Sequence, residues 1–200
     1  TREPAFTQAV RTVGSPQIRN AGTVGGNLGT CSPAGDLLPV LAALDADILV
    51  RSRGGSRTLK LAGFMKGPKR SDLKPGELVE AVEWQPAGEG CFLKAGTRNA
   101  MVIAVASLAL VLDRAQRQVR VALGSVGPTI IRATRAEEFA RGLFDDAGWE
   151  RRPQLGGSAL REFGALAASA AAPIDDQRGT ARYRRHAVAV MAARALARTA

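Results

Sequence analysis

Gln17-Ile18-Arg19-Asn20-Ala21-Gly22-Thr23-Val24-Gly25-Gly26-Asn27-Leu28, continuing as Gly29-Thr30-Cys31-Ser32-Pro33-Ala34-Gly35-Asp36, is the stretch on which the reading of this chain turns. Glycine stands at 22, 25, 26, 29 and 35, and the apolar residues keep neither a helical nor an alternating period, which predicts a loop. Adjacent glycines let a backbone pass through positive φ and bring N–H groups against a ligand with no Cβ in the way. Successive N–H groups in such a turn form a nest for anionic oxygens, and Thr23 and Asn27 add side-chain hydrogen bonds. A phosphate or a nucleotide is the natural guest of that chemistry, and an ordinary Gly-Gly turn is the alternative. The spacing is neither Gly-x-Gly-x-x-Gly nor a P-loop, because no Gly-Lys-Ser/Thr occurs.

Working outward, Leu37, Leu38, Leu41 and Leu44 recur on one helical face, which predicts a helix over 37–44 with Asp36 as its N-cap. The Asp36 carboxylate has a second reading, as acceptor from ribose hydroxyls or an adenine amine, and the two roles are compatible. Upstream, Phe6 to Val13 reads as a short helix stopped by Gly14-Ser15-Pro16. Downstream, Asp47–Arg51 and Thr58–Leu61 flank Gly54-Gly55 as a hairpin. Leu78–Trp84 and Cys91–Ala95 read as strands, the first preceded by the turn signal Pro75-Gly76. Lys94 and Arg98, four residues apart past a strand, either neutralise a pyrophosphate or an electron-rich ring, or mark a solvated strand end.

The run Met101–Leu112 fits a helix or a fully buried strand. β-Branched Val102, Ile103, Val105 and Val111 favour a strand, followed by strands at Val119–Leu123 and Thr129–Ala133. Helices are predicted at Ala136–Leu143, Ser158–Ala171 and Thr180–Arg198. The composition shift divides the chain near residue 90, into 1–90 and 91–200.

Across 200 residues, 28 Lys+Arg against 18 Asp+Glu give a net charge of +10, which favours acidic partners. Two cysteines, Cys31 and Cys91, and one histidine, His186, exclude a self-contained four-cysteine iron–sulfur site, a zinc ribbon and a disulfide scaffold. The cysteines read as small apolar residues. His186 is the one candidate base for a Ser-His-Asp engine, yet among Tyr183, Arg184 and Arg185 it reads as solvated or capping. No catalytic residue and no metal ligand is assigned. The Arg-rich last helix lacks interleaved aromatics, so nucleic acid is not an expected partner. No apolar run approaches ~18 residues, so no membrane span is expected. No apolar segment follows Thr1-Arg2-Glu3-Pro4 as in a signal peptide, and a cytoplasmic location is expected.

Taken together, Gln17-Ile18-Arg19-Asn20-x-Gly22-Thr23-x-Gly25-Gly26-Asn27-Leu28 and Ser32-Pro33-Ala34-Gly35-Asp36 strongly resemble the second flavin-binding signature of the molybdenum hydroxylase family. The likeness is to the FAD-carrying medium subunit or domain of xanthine dehydrogenases, aldehyde oxidoreductases and aerobic carbon monoxide dehydrogenases. It continues through Leu73-x-Pro75-Gly76-Glu77-Leu78, Lys94-x-x-x-Arg98-Asn99-Ala100-Met101 and Ala122-Leu123-Gly124-x-Val126-Gly127-Pro128-Thr129. It ends with Ile131-Arg132-Ala133, Arg182-Tyr183-Arg184-Arg185-His186 and Arg194-Ala195-Leu196, covering the whole chain in order.

The resemblance implies an α+β fold. A partial FAD-binding domain of the vanillyl-alcohol-oxidase type would be followed by a small C-terminal domain with a three-stranded antiparallel sheet and helices. It implies that Thr23, Val24, Gly25, Gly26 and Asn27 contact the FAD diphosphate and ribityl region. Asp36 would hold the adenosine side, Lys94 would lie near the isoalloxazine and stabilise its anionic reduced form by charge, and Val13 and Val79 would touch the cofactor. The implied activity is that of an oxidoreductase subunit. Electrons would come from a molybdenum cofactor on a large subunit through two [2Fe–2S] clusters on a small subunit, and leave the flavin to NAD, oxygen or a quinone. The family also carries an Ala-Gly-Gly-type loop in an N-terminal lobe that this sequence does not supply, so a truncated or split subunit is expected. A cofactor-free docking module of the same complex is the alternative.

Overall fold

The computed structural model describes residues 3–200, and its first forty residues fold into four short helices: α1 (Pro4–Thr12), α2 (Pro16–Ala21), α3 (Val24–Thr30) and α4 (Leu37–Ala43). Proline stands in the first turn of α1 and α2, where its missing N–H has no intrahelical acceptor to lose. α4 is buried along nearly its whole length, with Leu38, Val40 and Leu41 fully enclosed.

Two strands follow, β1 (Asp47–Ser52) and β2 (Gly55–Lys60), then a single turn of helix, α5 (Leu61–Phe64). The hairpin pairs Asp47 with Lys60 through to Ser52 with Gly55, so Arg53-Gly54 makes the turn and Gly55 already belongs to a strand. A two-stranded hairpin, β3 (Met65–Gly67) with β4 (Arg70–Ser71), precedes β5 (Leu78–Glu83). β5 pairs antiparallel with β1 to give a three-stranded sheet ordered β2-β1-β5.

The rest of the chain comprises β6 (Glu89–Ala95), β7 (Ala106–Asp113), β8 (Gln118–Gly124) and β9 (Ile131–Arg132), then α6 (Thr134–Ala147), α7 (Gly157–Ala170) and α8 (Ala181–Thr199). The three strands expected after residue 100 are present, and β6 joins them at the edge to make an antiparallel sheet ordered β6-β7-β8-β9. The apolar run after Met101 becomes a strand only at Ala106. Residues 96–105 reverse the chain, Met101 takes a positive φ of 50°, and the Val105 N–H donates to the Ala95 carbonyl at 2.8 Å.

Every residue of β7 is buried, and alternation explains why. Leu108, Leu110 and Leu112 face one way, joined by Val121 and Leu123 from β8, and pack on Phe144, Phe163 and Leu196 of α6, α7 and α8. Ala109 and Val111 face the other way with Phe92 and Ala122, and pack on the core of α1 and α4. A strand covered on both faces reads as a continuous apolar run, which is why period alone left helix and strand open. Among the described residues no helix is long and apolar enough to cross a membrane. No group of three or more His, Cys, Asp or Glu side chains among them is placed to hold a metal ion.

Candidate functional site

The glycine-rich segment is helical rather than looped, and capping explains it. Ser15 Oγ accepts from the Ile18 N–H at 3.3 Å to start α2, and Thr23 Oγ1 accepts from the Gly26 N–H at 2.9 Å to start α3. Cys31, in the left-handed region at φ 46°, ends α3. Gly25 and Gly26 therefore lie in a helix and not at positive φ, which corrects the expected turn. The amides of Gly26 and Asn27 are taken up by the hydroxyl and the carbonyl of Thr23. Those of Val24 and Gly25, in the first turn, have no intrahelical acceptor. The signal for both helices was present in Ser15-Pro16 and Thr23. Low apolar periodicity and the helix cost of glycine obscured it.

Gly25 lies against β5: a Cβ there would meet the Val79 side chain at 3.6 Å. Thr23 and Gly26 are exposed, and Val24, Gly25 and Asn27 are half-buried, so the segment forms an open face rather than the lining of a closed core. Asn27 turns inward. Its Oδ1 is buried without a hydrogen-bond partner among the described residues and lies 3.3 Å from where a Cβ on Gly35 would stand. Gly35 in turn precedes Asp36.

Asp36 occupies the N-cap position of α4, but its side chain makes no capping bond, which corrects that expectation. Its Oδ2 instead accepts from Lys94 Nζ at 2.6 Å and from the Thr12 hydroxyl at 3.0 Å. Lys94 reaches it from the end of β6 and also donates to the Thr12 carbonyl at 3.2 Å, leaving one N–H without an acceptor among the described residues. Asp36 is 5% exposed and its Oδ1 has no partner among the described residues. Burial pushes the Asp36 carboxyl up from its ordinary value, while the Lys94 hydrogen bond and charge and the Thr12 hydroxyl pull it back.

Asp36 and Lys94 thus meet directly, side chain to side chain. Val13 ends α1 beside Thr12, half-buried, and its carbonyl accepts from Arg19 Nη1 at 2.9 Å. Gly14, at φ 47°, is required there, since a Cβ would stand 2.8 Å from the Ile18 side chain. Contacts therefore link Val79 to Gly25, Asn27 to Gly35, and Asp36 to Lys94 and Thr12. Sequence reasoning missed Thr12 and the anchoring role of Arg19. Both act through contacts across 24 and 6 residues that no local pattern encodes.

Residues 1–84 match the family described as the FAD binding domain in molybdopterin dehydrogenase, and residues 92–199 match the CO dehydrogenase flavoprotein C-terminal domain. The glyceraldehyde dehydrogenase medium chain of Sulfolobus acidocaldarius is 32% identical over 200 residues, covering 98% of this chain and 67% of the relative. The carbon monoxide dehydrogenase medium chain of Afipia carboxidovorans is 30% identical over 98% of this chain and 66% of its own length. Among solved structures, the reconstituted CO dehydrogenase from Oligotropha carboxidovorans superposes with a TM-score of 0.82 at 28% identity, over 96% of this chain and 65% of that one. The chain thus spans about two thirds of the length of these relatives. The two family matches together span nearly the whole chain, and the chain belongs to the FAD-binding medium-subunit family of the molybdenum hydroxylases.

Proposed function

We propose that this chain supplies one wall of an FAD site and acts as the electron conduit of a molybdenum hydroxylase complex. In this reading a large subunit carries the molybdenum cofactor and oxidises substrate. Electrons arrive from [2Fe–2S] clusters on a small subunit and leave to NAD, oxygen or a quinone. Residues 1–90 form the flavin-facing lobe and residues 91–200 the C-terminal domain.

The observation that carries this reading is the polar seam from Thr23 to Lys94. Two buried acceptors in it, Asn27 Oδ1 and Asp36 Oδ1, have no partner among the described residues. Orphaned buried acceptors cost about 1–3 kcal/mol each and mark places where a ligand completes the bonding. The residues fit a flavin dinucleotide in kind. Val24 and Gly25 offer amides, and Thr23, Gly26 and Asn27 line the same open face, for the diphosphate and ribityl groups. Val13 and Val79 offer apolar contact. Asp36 and Lys94 act together, one as acceptor and the other as donor, a pairing that matches the N–H and C=O groups of the isoalloxazine pyrimidine edge. FAD, when bound, supplies reversible electron-transfer chemistry.

A lone Lys94 would stabilise negative charge on a reduced ring. With Asp36 at 2.6 Å the two charges largely cancel beyond their own contact, so Lys94 orients the ring more than it charges it. In the flavin-loaded complex, Asp36→Asn uncovers the Lys94 charge, and the flavin midpoint potential is expected to rise on the order of tens of millivolts. Lys94→Met is expected to lower it and to reduce bound flavin, read from visible absorption. Wild-type flavin content together with wild-type potential in both variants would overturn the assignment. A purified complex with no flavin absorption from this chain would favour the docking-module reading instead.

A further inference from the structure

The five buried side-chain atoms without a partner among the described residues are Asn27 Oδ1, Asp36 Oδ1, Ser107 Oγ, Ser125 Oγ and Arg184 Nε. The flavin reading accounts for the first two. Ser107 is register-paired with Lys94 on one side and with Gly124 on the other, so the row continues across one end of the sheet to Ser125. There a cavity of about 510 Å³ opens where the loop before α4, the β3–β4 turn, the segment after β8, the α7–α8 connection and α8 meet. That volume lies in the range of small-molecule sites, and the site combines apolar walls with a few polar groups as such sites do.

Pro33, Pro68, Pro128 and Ile174 make the walls apolar, and Ile174 is 71% exposed at the rim. Arg184 stands in the wall, 3% exposed. Its Nη1 donates to the Ser125 carbonyl at 2.6 Å, its Nη2 donates to Asp176 at 2.5 Å, and its Nε has no partner. The Arg178 N–H and the Arg184 guanidinium hold the Asp176 carboxyl below the usual carboxylate range, so Asp176 stays ionised and balances Arg184. Lys69 and Arg178 also line the cavity and make no ion pair among the described residues, leaving two positive charges uncompensated. Ser125, 6% exposed, brings a hydroxyl with no partner.

We infer that this cavity binds a small organic anion, a carboxylate on a flat apolar body, with Lys69 and Arg178 facing the charge and the prolines and Ile174 holding the body. The apolar walls favour such a molecule over inorganic phosphate, whose strongly hydrated oxygens gain nothing from Pro33, Pro68 and Pro128. The site is distinct from the flavin wall but is tied to it by backbone. The Ser125 N–H donates to the Pro33 carbonyl at 2.8 Å, and the Lys69 N–H to the Cys31 carbonyl at 3.0 Å. An occupant therefore bears on the loop that carries Asp36.

Calorimetric titration of the assembled complex with benzoate, with inorganic phosphate as the control at matched ionic strength, tests this. Saturable benzoate binding at one site per chain is expected, with phosphate weaker by at least about tenfold. The Lys69→Gln/Arg178→Gln double variant and, separately, Ile174→Asp are each expected to weaken benzoate binding by about tenfold or more with unchanged circular dichroism and melting temperature. No saturable binding at millimolar benzoate, equal binding of phosphate, or full binding by the variants would each overturn the inference. Neither substitution touches the Asp36–Lys94 pair, so failure here leaves the flavin assignment standing, and the reverse also holds.

Discussion

At the scale of single residues, the Asp36–Lys94 pair joins two halves of the chain through one contact between side chains that are 5% and 11% exposed. Removing one partner leaves the other charge buried and uncompensated, which costs about 3–5 kcal/mol in comparable pairs. Lys94→Met is therefore expected to lower urea stability by about that much at neutral pH. Burial already favours the protonated form of Asp36, and losing Lys94 strengthens that preference. The deficit of the variant should be full above the folded-state pKa of Asp36. It should shrink as pH falls through that pKa and level off below the ordinary value of 3.8, where the carboxyl is protonated folded and unfolded alike. Urea titrations at neutral and mildly acidic pH check it, and a pH-independent deficit would contradict it. Thr12 shows what a sequence conceals at this scale. It ends a short helix with no motif around it, and only folding brings its hydroxyl to a carboxylate 24 residues away.

At the scale of elements, β5 brings Val79 to Gly25, and a cluster at its entry holds it there. Arg57 on β2 donates to both oxygens of Glu77 at 2.8 Å and to Asp72 at 2.9 Å, while Glu77 also accepts from the Lys74 N–H at 2.7 Å. These bonds, Arg57 foremost, hold the Glu77 carboxyl at about 2 against an ordinary 4.5. The stabilisation is complete above pH 4.5 and is lost as pH falls from there through about 2. Glu77→Gln removes this component, so the fall of melting temperature across that window should be shallower than in the wild type. Parallel curves would show that the cluster carries no linkage. The turn Pro75-Gly76 was legible at this scale, as were the β1–β2 hairpin and α4, because each is written in local chemistry. α3 was not, because its formation rests on the Thr23 cap and on burial of a single residue, Leu28, in a seven-residue segment with three glycines.

At the scale of the whole molecule, the sheet of β6 to β9 serves two cores at once. Leu110 belongs to the core of α6 to α8, and Val111, its neighbour, to the core of α1 and α4. A sheet shared in this way couples the halves, so Leu110→Ala and Val111→Ala should each lower one common unfolding transition. Leu110→Ala is expected to cost about 2–5 kcal/mol. Calorimetry that resolved two transitions, with each substitution shifting only one, would show that the halves unfold separately.

The sequence by itself determined the family, the β1–β2 hairpin, α4, the Pro75-Gly76 turn, and the three strands and three helices that follow residue 100. Caps, turns, apolar periods and motif spacing are local and survive in a linear string. Tertiary structure alone decided that Asp36 bonds Lys94 instead of capping α4, and that β6 completes the sheet. It also decided that a run of apolar residues is a strand covered on both faces. Each of these depends on which groups meet across many residues of intervening chain, where burial and pairing set the energy and no local preference does.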